Sequence, residues 1–168
     1  MSIIKKFIFV IFLTTFVGQV NGEEVKKMGT HKDWETYIIK SDAGKVCFAQ
    51  SKPILQAPKA NQRDARLFIS FRPSEKITNE ISITAGYEFN NKNSITAKSG
   101  KNKYKFDITQ EGFAWIADNK LENKMIKTMK KGSRIMVTGY NQKGSQTIDH
   151  YSLLGFTKAY NATKANCS

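Results

Sequence analysis

The residues that could take part in catalysis are few, and they do not form a known catalytic pattern. The chain has two histidines, His31 and His150, and neither has a second metal ligand at the spacing of a zinc site. Asp149 precedes His150, but neighbouring residues of a strand point to opposite faces, so these two side chains are not expected to pair. The sequence therefore predicts no metal site and no catalytic pair here.

The sequence motifs of common enzyme classes are also missing. The chain contains no G-x-S-x-G, no G-x-G-x-x-G, no P-loop and no H-E-x-x-H. The acids Glu75, Glu80, Asp107 and Glu111 could supply a carboxylate pair of the kind that hydrolyses glycosides, but none has an apolar setting that would shift its pKa. We interpret the protein as non-enzymatic and without a cofactor, and keep a carboxylate-pair hydrolase as the alternative.

Aromatic residues are the second kind of candidate. Trp34 and Trp115 lie in strand-like patterns, which predicts burial in the core. Tyr87 and Phe89 lie in a predicted loop close to Lys92 and are predicted to be exposed. Exposed aromatic rings near lysines are typical of surfaces that bind a glycan or a partner protein. The predicted binding surface is therefore Tyr87, Phe89 and Lys92.

The first 22 residues have the order of a secretory signal. Lys5 and Lys6 form a basic start, residues 7–17 are apolar, and small residues precede Glu23. The apolar run is too short to span a bilayer. We expect cleavage near Gly22 to leave a periplasmic or secreted bacterial protein without a transmembrane segment. An uncleaved amphipathic anchor is the alternative.

The two cysteines, Cys47 and Cys167, fit that destination. An even number of cysteines in an oxidising compartment predicts a disulfide, here one that encloses nearly the whole domain. Two free thiols, or an intermolecular bridge through Cys167, are the alternatives.

The charge of the chain is strongly positive. It has 27 basic and 14 acidic residues, and removal of Lys5 and Lys6 with the signal leaves 25 basic residues and a net charge of +11. Such a charge favours anionic surfaces, but lysine far outnumbers arginine, the residue that binds phosphate in a fork. A generally basic surface and an anionic ligand both stay open. Export leaves little access to nucleic acid, so nucleic acid is not an expected partner.

The pattern along the chain predicts a mainly β fold, an antiparallel β-sandwich or barrel-like domain. Residues 23–32 are predicted to be a flexible leader, residues 33–168 a single β-rich domain, and residues 51–65 a long loop or crossing segment. The predicted strands cover residues 33–39, 45–50, 66–72, 79–86, 93–98, 103–108, 113–117, 134–140 and 146–153. A short C-terminal helix is predicted over residues 155–166.

One longer helix is predicted near residues 119–131. Leu121, Met125 and Met129 recur every four residues, which places them on one face. Asp118 or Asn119 can cap the start of this helix. Its lysines are interpreted as a solvated face and its methionines as core residues.

Several segments resemble, in this order, one family of exported bacterial proteins. They are DWETY, VCFAQSKP, FISFRPSEKITNEISITAGYEF, GFAWIADN and KKGSRIMVTGYNQKGSQTIDHYSLLGFTKA. Together they are similar to the invasion-associated locus B family, over about residues 33–167. Members often carry another cysteine shortly after the opening tryptophan. This chain has none there, so the resemblance leaves Cys167 as the available partner for Cys47.

The resemblance implies an exported, non-enzymatic envelope protein, in a family named for host-cell invasion by some pathogens. We expect it to bind an envelope or host protein or a glycan. A hydrolase of an envelope polymer and an electrostatic binder of an anionic surface are the alternatives.

Overall fold

The computed structural model describes residues 24–42, 44–60 and 62–167, which form two antiparallel β-sheets and two α-helices. The predicted signal sequence, residues 1–22, lies outside the described residues. The strands are β1 (Glu24–His31), β2 (Trp34–Ser41), β3 (Gly44–Ser51), β4 (Leu55–Ala57), β5 (Arg66–Arg72), β6 (Ile77–Thr84), β7 (Ile95–Ser99), β8 (Asn102–Phe106), β9 (Ile108–Gln110), β10 (Phe113–Trp115), β11 (Arg134–Tyr140) and β12 (Gln146–Ser152). The helices are α1 (Asn119–Lys131) and α2 (Phe156–Asn166).

The strands form two sheets that pack as a sandwich. Sheet A has seven strands in the order β1-β2-β3-β5-β6-β10-β9, and sheet B has five in the order β4-β12-β11-β7-β8. Neither sheet closes on itself within the described residues, so the prediction of a mainly β fold is confirmed as a sandwich rather than a barrel. Residues 51–65 leave sheet A after β3, add β4 to sheet B and return as β5, which confirms the predicted crossing segment.

The core forms because the strands alternate between buried and partly exposed side chains. In β2, Trp34 and Ile38 are buried, while Tyr37 between them is partly exposed. Leu67 in β5 and Tyr151 in β12 are fully buried in the same core. A strand with this period of two has one face toward the core and the other toward solvent. Each sheet therefore has an inner and an outer face.

Helix α2 covers part of the inner face of sheet A. Phe156 packs edge-on against Trp34, with ring centroids 4.9 Å apart, and Tyr160 packs against Phe71 at 5.7 Å. None of the helices within the described ranges has the length and apolar character needed to cross a membrane.

Helix α1 links the two sheets. Asp118 caps it by accepting a hydrogen bond from the Lys120 amide, as predicted from the sequence. Met125 and Met129 are buried, and Tyr104 of sheet B bonds to Thr128 with 2.6 Å between the two hydroxyl oxygens. The predicted helix over residues 119–131 is therefore confirmed.

Residues 24–31 correct the expectation of a flexible leader. They form β1, which pairs antiparallel with β2, and the His31 main chain lies close to Gly155 at the start of α2. A Cβ atom added at Gly155, where φ is +89°, would lie 1.9 Å from the His31 carbonyl oxygen, so only glycine allows this approach. The polar sequence suggested a flexible segment. The segment is polar because β1 is an edge strand and most of its side chains are exposed.

A buried ion pair fastens the crossing segment to sheet B. The Arg63 guanidinium donates to both carboxylate oxygens of Asp149, at 3.0 and 2.6 Å, and also to the Ala85 carbonyl. The side chains of Arg63 and Asp149 are 10% and 2% exposed. The main-chain N–H and C=O of Arg63 bond in turn to the amide of Gln56. This pair therefore adds to the β4–β12 pairing in holding the crossing segment to sheet B.

Candidate functional site

Five aromatic side chains lie side by side on the outer face of sheet A. We call them the aromatic strip: Tyr37, Phe48, Phe68, Phe113 and Trp115. Their neighbouring ring centroids are 5.2, 6.0, 6.0 and 5.7 Å apart in that order. All five rings are partly exposed. Among the described residues nothing covers this face, so the strip is open to a ligand.

Strand register brings these rings together. Tyr37 of β2 lies opposite Phe48 of β3, whereas Phe68 of β5 and Trp115 of β10 both lie opposite Ser82 of the intervening β6. Because the serine side chain is short, rings from β5 and β10 can meet above it. The strip spans five neighbouring strands, or about 19 Å at the usual strand spacing.

A shallow groove of about 460 Å³ runs along part of the strip. Polar side chains border the rings here. Arg72 and Glu80 form a pair with two bonds of 2.7 Å each, and Glu75 accepts a further bond from Arg72. Ser70 and Gln110 also line the groove. The groove therefore combines ring faces with planar groups that donate and accept hydrogen bonds.

The opposite end of the strip carries a second polar cluster. Glu35 accepts hydrogen bonds from Tyr37 at 2.9 Å and from Gln50 at 3.3 Å, and it pairs with Lys27. The Lys27 bond holds the pKa of Glu35 below its usual range. Burial, and then the bond to Glu35, raise the pKa of Tyr37. Hydrogen-bonding groups therefore lie at both ends of the strip.

A cavity of about 410 Å³ adjoins the groove where α1 begins. Glu122 of α1 and Glu80 both line it. The Glu122 carboxylate accepts a 2.8 Å hydrogen bond from the main-chain amide of Ile81 in β6. The pairing of β6 with β10 begins only at the next residue, Ser82, so no residue of the described strands accepts this bond. Burial raises the pKa of Glu122 to about 7; the Ile81 bond opposes this shift, whereas the charges of Glu80 and Asp118 add to it. Glu122 is therefore the one acid here with a strongly altered proton affinity, and the sequence did not single it out.

Titration of Glu122 should make stability depend on pH. Its folded pKa of about 7 lies above the ordinary glutamate value of 4.5. Its contribution is therefore complete below pH 4.5 and is lost as the pH rises through 7. From this group alone, the free energy of unfolding should fall by about 3 kcal/mol between pH 4.5 and pH 8. Urea unfolding of Glu122→Gln should lack most of this fall, because the amide oxygen can still accept the Ile81 bond without ionising.

Exposed Glu111 supplies the control for that measurement. Glu111→Gln changes the same chemical group on the surface and should follow the pH profile of the unmodified protein. Equal pH profiles for the unmodified protein and Glu122→Gln would show that Glu122 does not titrate with a raised pKa.

The predicted binding surface is corrected by the structure. Phe89 is only 4% exposed, and Tyr87 is partly buried with its hydroxyl 2.6 Å from that of Thr147. Both rings pack against Gly139, where an added Cβ would lie 2.8 Å from the Tyr87 hydroxyl. Lys92 is exposed. Phe89 is therefore buried and Tyr87 partly buried, because Gly139 of β11 has no side chain and leaves room for both rings.

The two tryptophans have different positions. Trp34 is fully buried, as predicted, and donates a 3.0 Å bond to the Ser152 carbonyl. The prediction of core burial is wrong for Trp115, which stands on the outer face of sheet A. Strand β10 has only three residues, with buried Ala114 between two partly exposed rings. Such a short alternation in the sequence did not indicate which side of the strand faces the core.

The remaining titratable candidates lie apart from the strip. Asp149 points into the core to Arg63, while its neighbour His150 is partly exposed on the other face of β12. Across the described ranges, no group of three or more His, Cys, Asp or Glu side chains is placed to hold a metal ion.

The two cysteines form a disulfide, Cys47–Cys167. It joins the inner face of β3 to the residue that ends α2, across a sequence separation of 120. The described chain has no free cysteine. The sequence left open two free thiols, an intermolecular bridge and an intramolecular disulfide; the structure contains the intramolecular disulfide.

A family model described as "Invasion associated locus B (IalB) protein" matches residues 34–164, well over half of the chain. No curated protein and no solved structure matches. The matched residues include β2 to β12 and most of α2, and hence the whole aromatic strip.

Proposed function

Since the chain belongs to the invasion associated locus B family, we propose that it is an exported, non-catalytic protein that binds a glycan chain along the aromatic strip. The observation that carries the proposal is the row of five partly exposed rings on an uncovered sheet face. The family of exported bacterial proteins and the disulfide support a place in the periplasm or outside the cell.

The shape and chemistry of the strip favour a glycan over a protein. Sugar rings present C–H groups on one face, which pack on aromatic rings, and hydroxyls at the edge, which bond to planar polar side chains. Arg72, Glu80 and Gln110 at one end, and Glu35 with Gln50 at the other, supply such groups. A stable protein interface buries about 800 Å² on each side. The strip is long but only one or two residues wide along each strand, which suits a linear chain.

A hydrolase is the second candidate, favoured by the cavity that holds both Glu80 and Glu122. Glu122, with its pKa near 7, could act as an acid. A pair mechanism also needs a free second carboxylate as nucleophile or base. Both oxygens of Glu80 accept bonds from Arg72. This occupation supports the non-catalytic proposal. Release of reducing ends from a bound polysaccharide, lost in Glu122→Gln, would reverse this choice.

Tryptophan fluorescence can test binding directly. Trp34 is buried and Trp115 lies in the strip, so a bound glycan should change the emission of Trp115 alone. Titration with solubilised peptidoglycan fragments, lipopolysaccharide-derived oligosaccharides and neutral β-linked oligosaccharides should give a saturable change with at least one of them. The double variant Phe68→Ala/Trp115→Ala should bind that ligand roughly a hundredfold more weakly by calorimetry, at about tenfold for each ring.

A matched control comes from the other sheet. Met136 is partly exposed on the outer face of sheet B, so Met136→Ala removes a similar apolar group away from the strip. Its affinity should equal that of the unmodified protein. Unchanged binding in the double variant, or no binding to any of the three ligand classes, would refute the proposal. So would a concentration-dependent dimer that the ring substitutions abolish, because the strip would then contact a second copy.

A further inference from the structure

The solvent-facing side of α1 is cationic along its length. Its one acid, Glu122, is buried, and its exposed charged residues are all lysines: Lys120, Lys124, Lys127, Lys130 and Lys131. Lysines three or four residues apart repel one another and weaken a helix. Among the described residues, no acidic side chain forms an ion pair with Lys124, Lys127 or Lys131. The repulsion is therefore left uncompensated within this part of the chain.

The helix dipole explains only part of this arrangement. Cations stabilise the last turn of a helix, and the effect fades within one turn. The dipole accounts for Lys131. A cation–π contact accounts for Lys130, whose Nζ lies 3.7 Å from the ring centroid of Tyr160. Lys124 and Lys127 lie further from the C-terminal end, so neither the dipole nor an aromatic contact accounts for them.

These lysines line a cleft between α1, the β7–β8 hairpin and the start of β11. We call it the basic cleft: its volume is about 840 Å³, and its charged lining residues are Lys124, Lys127, Lys131 and Arg134. Ser99 and Asn102 add polar groups, and no acid lines it. The sequence suggested scattered lysines, but the fold gathers these cations around one opening.

The floor of the basic cleft is held in place by local bonds. The Ser99 hydroxyl donates to the Arg134 carbonyl at 2.9 Å, and the Gly132 amide donates to the Thr128 carbonyl at 2.9 Å. A Cβ at Gly132 would lie 3.1 Å from the Ser99 hydroxyl oxygen and 3.0 Å from Leu153, so glycine lets helix and strand approach closely. The cations therefore project from a backbone that is already fixed.

We propose that the basic cleft binds a chain of phosphate groups, as in a linear polyphosphate or a multiply phosphorylated glycan. Lys124 and Lys131 are seven residues apart, about 10 Å along the helix axis, a separation that a chain of several phosphate groups can follow. Each phosphate of such a chain carries at least one negative charge, and a phosphate monoester carries close to two near pH 7, so the anionic charges are spread along the row of cations. This site is separate from the aromatic strip and does not depend on the proposed function.

Calorimetry with inorganic tripolyphosphate tests the proposal on the intact mature protein. We expect saturable binding whose affinity falls steeply with salt, and binding of orthophosphate at least about tenfold weaker. The triple variant Lys124→Gln/Lys127→Gln/Lys131→Gln should lose tripolyphosphate affinity by at least about a hundredfold. Its melting temperature should equal or exceed that of the unmodified protein, because like charges are removed and glutamine is a good helix former.

The control removes the same net charge elsewhere. Lys40, Lys92 and Lys158 are exposed and lie outside the cleft, so their triple glutamine variant should bind tripolyphosphate within about threefold of the unmodified protein. Equal losses in both triple variants would overturn the proposal in favour of a general charge effect. Tighter binding to phosphatidylglycerol vesicles than to tripolyphosphate, lost only in the cleft variant, would overturn it in favour of a lipid surface. No tripolyphosphate binding at low salt would also overturn it.

Discussion

The double variant Cys47→Ala/Cys167→Ala should unfold with a free energy about 5 kcal/mol below that of the oxidised protein. The disulfide spans 120 residues, so its loss returns much conformational freedom to the unfolded chain. Natural domains have only about 5–15 kcal/mol of stability in total. Both sulfur atoms are buried, and alanine avoids placing unpaired hydroxyls in their position. Guanidinium unfolding followed by circular dichroism measures the difference.

Reductant gives a matched control for this prediction. Treatment of the unmodified protein with dithiothreitol should lower its stability to that of the double variant, and the double variant itself should not respond. Because Cys167 directly follows α2, hydrogen exchange in α2 should rise before exchange in β5 and β6. A loss below about 1 kcal/mol in the double variant would contradict a large contribution from this bond.

The second large effect is expected at the buried ion pair. Asp149→Asn keeps the shape of the side chain but leaves the Arg63 charge without its partner, although the Arg63 side chain is only 10% exposed. Removing one partner of a buried pair typically costs about 3–5 kcal/mol. We expect a loss of that size in urea unfolding. Proteolysis within residues 51–65 should then become faster, because one of the contacts that hold this segment to β12 is lost while the β4–β12 pairing stays.

A neighbouring surface pair provides the comparison. Arg66 and Asp64 form the same kind of contact at 2.7 Å, but the Asp64 side chain is 71% exposed. Asp64→Asn should change stability by no more than about 1 kcal/mol. Arg63→Met/Asp149→Leu should recover most of the loss, because it removes both buried charges. Equal losses in Asp64→Asn and Asp149→Asn would show that burial does not govern the two pairs.

Elements with a local signal could be predicted from the sequence. Helix α1 follows from the four-residue spacing of Leu121, Met125 and Met129 and from its cap, because both depend on residues within two or three turns. The β2–β3 hairpin follows from alternation on each side of a short turn that contains Gly44. Such features need no knowledge of which strands become neighbours in a sheet.

The aromatic strip could not be predicted, because it depends on strand order. Phe68 and Phe113 are 45 positions apart in the sequence and meet only because β10 returns to lie beside β6. The hint in the sequence was the presence of large rings at the positions that alternate with core residues, as Phe68 does between Leu67 and Ile69. Such positions are usually polar on an antiparallel sheet with one solvated face. Tyr87 and Phe89 show the opposite case: they were predicted to be exposed and are buried or partly buried. The residue that makes room for them, Gly139, lies about 50 positions further along the chain.

The edges of the two sheets have a consequence for how this protein behaves when it is concentrated. Within the described residues, sheet A ends at β1, which carries Lys26 and Lys27, and at the three-residue strand β9, while sheet B ends at the three-residue strand β4 and at β8, which carries Lys103 and Lys105. Short or lysine-bearing edge strands resist pairing with another chain. Pairing of copies edge to edge is therefore disfavoured, and the rings of the aromatic strip stand on the sheet face, away from the main-chain hydrogen-bonding groups of these edges.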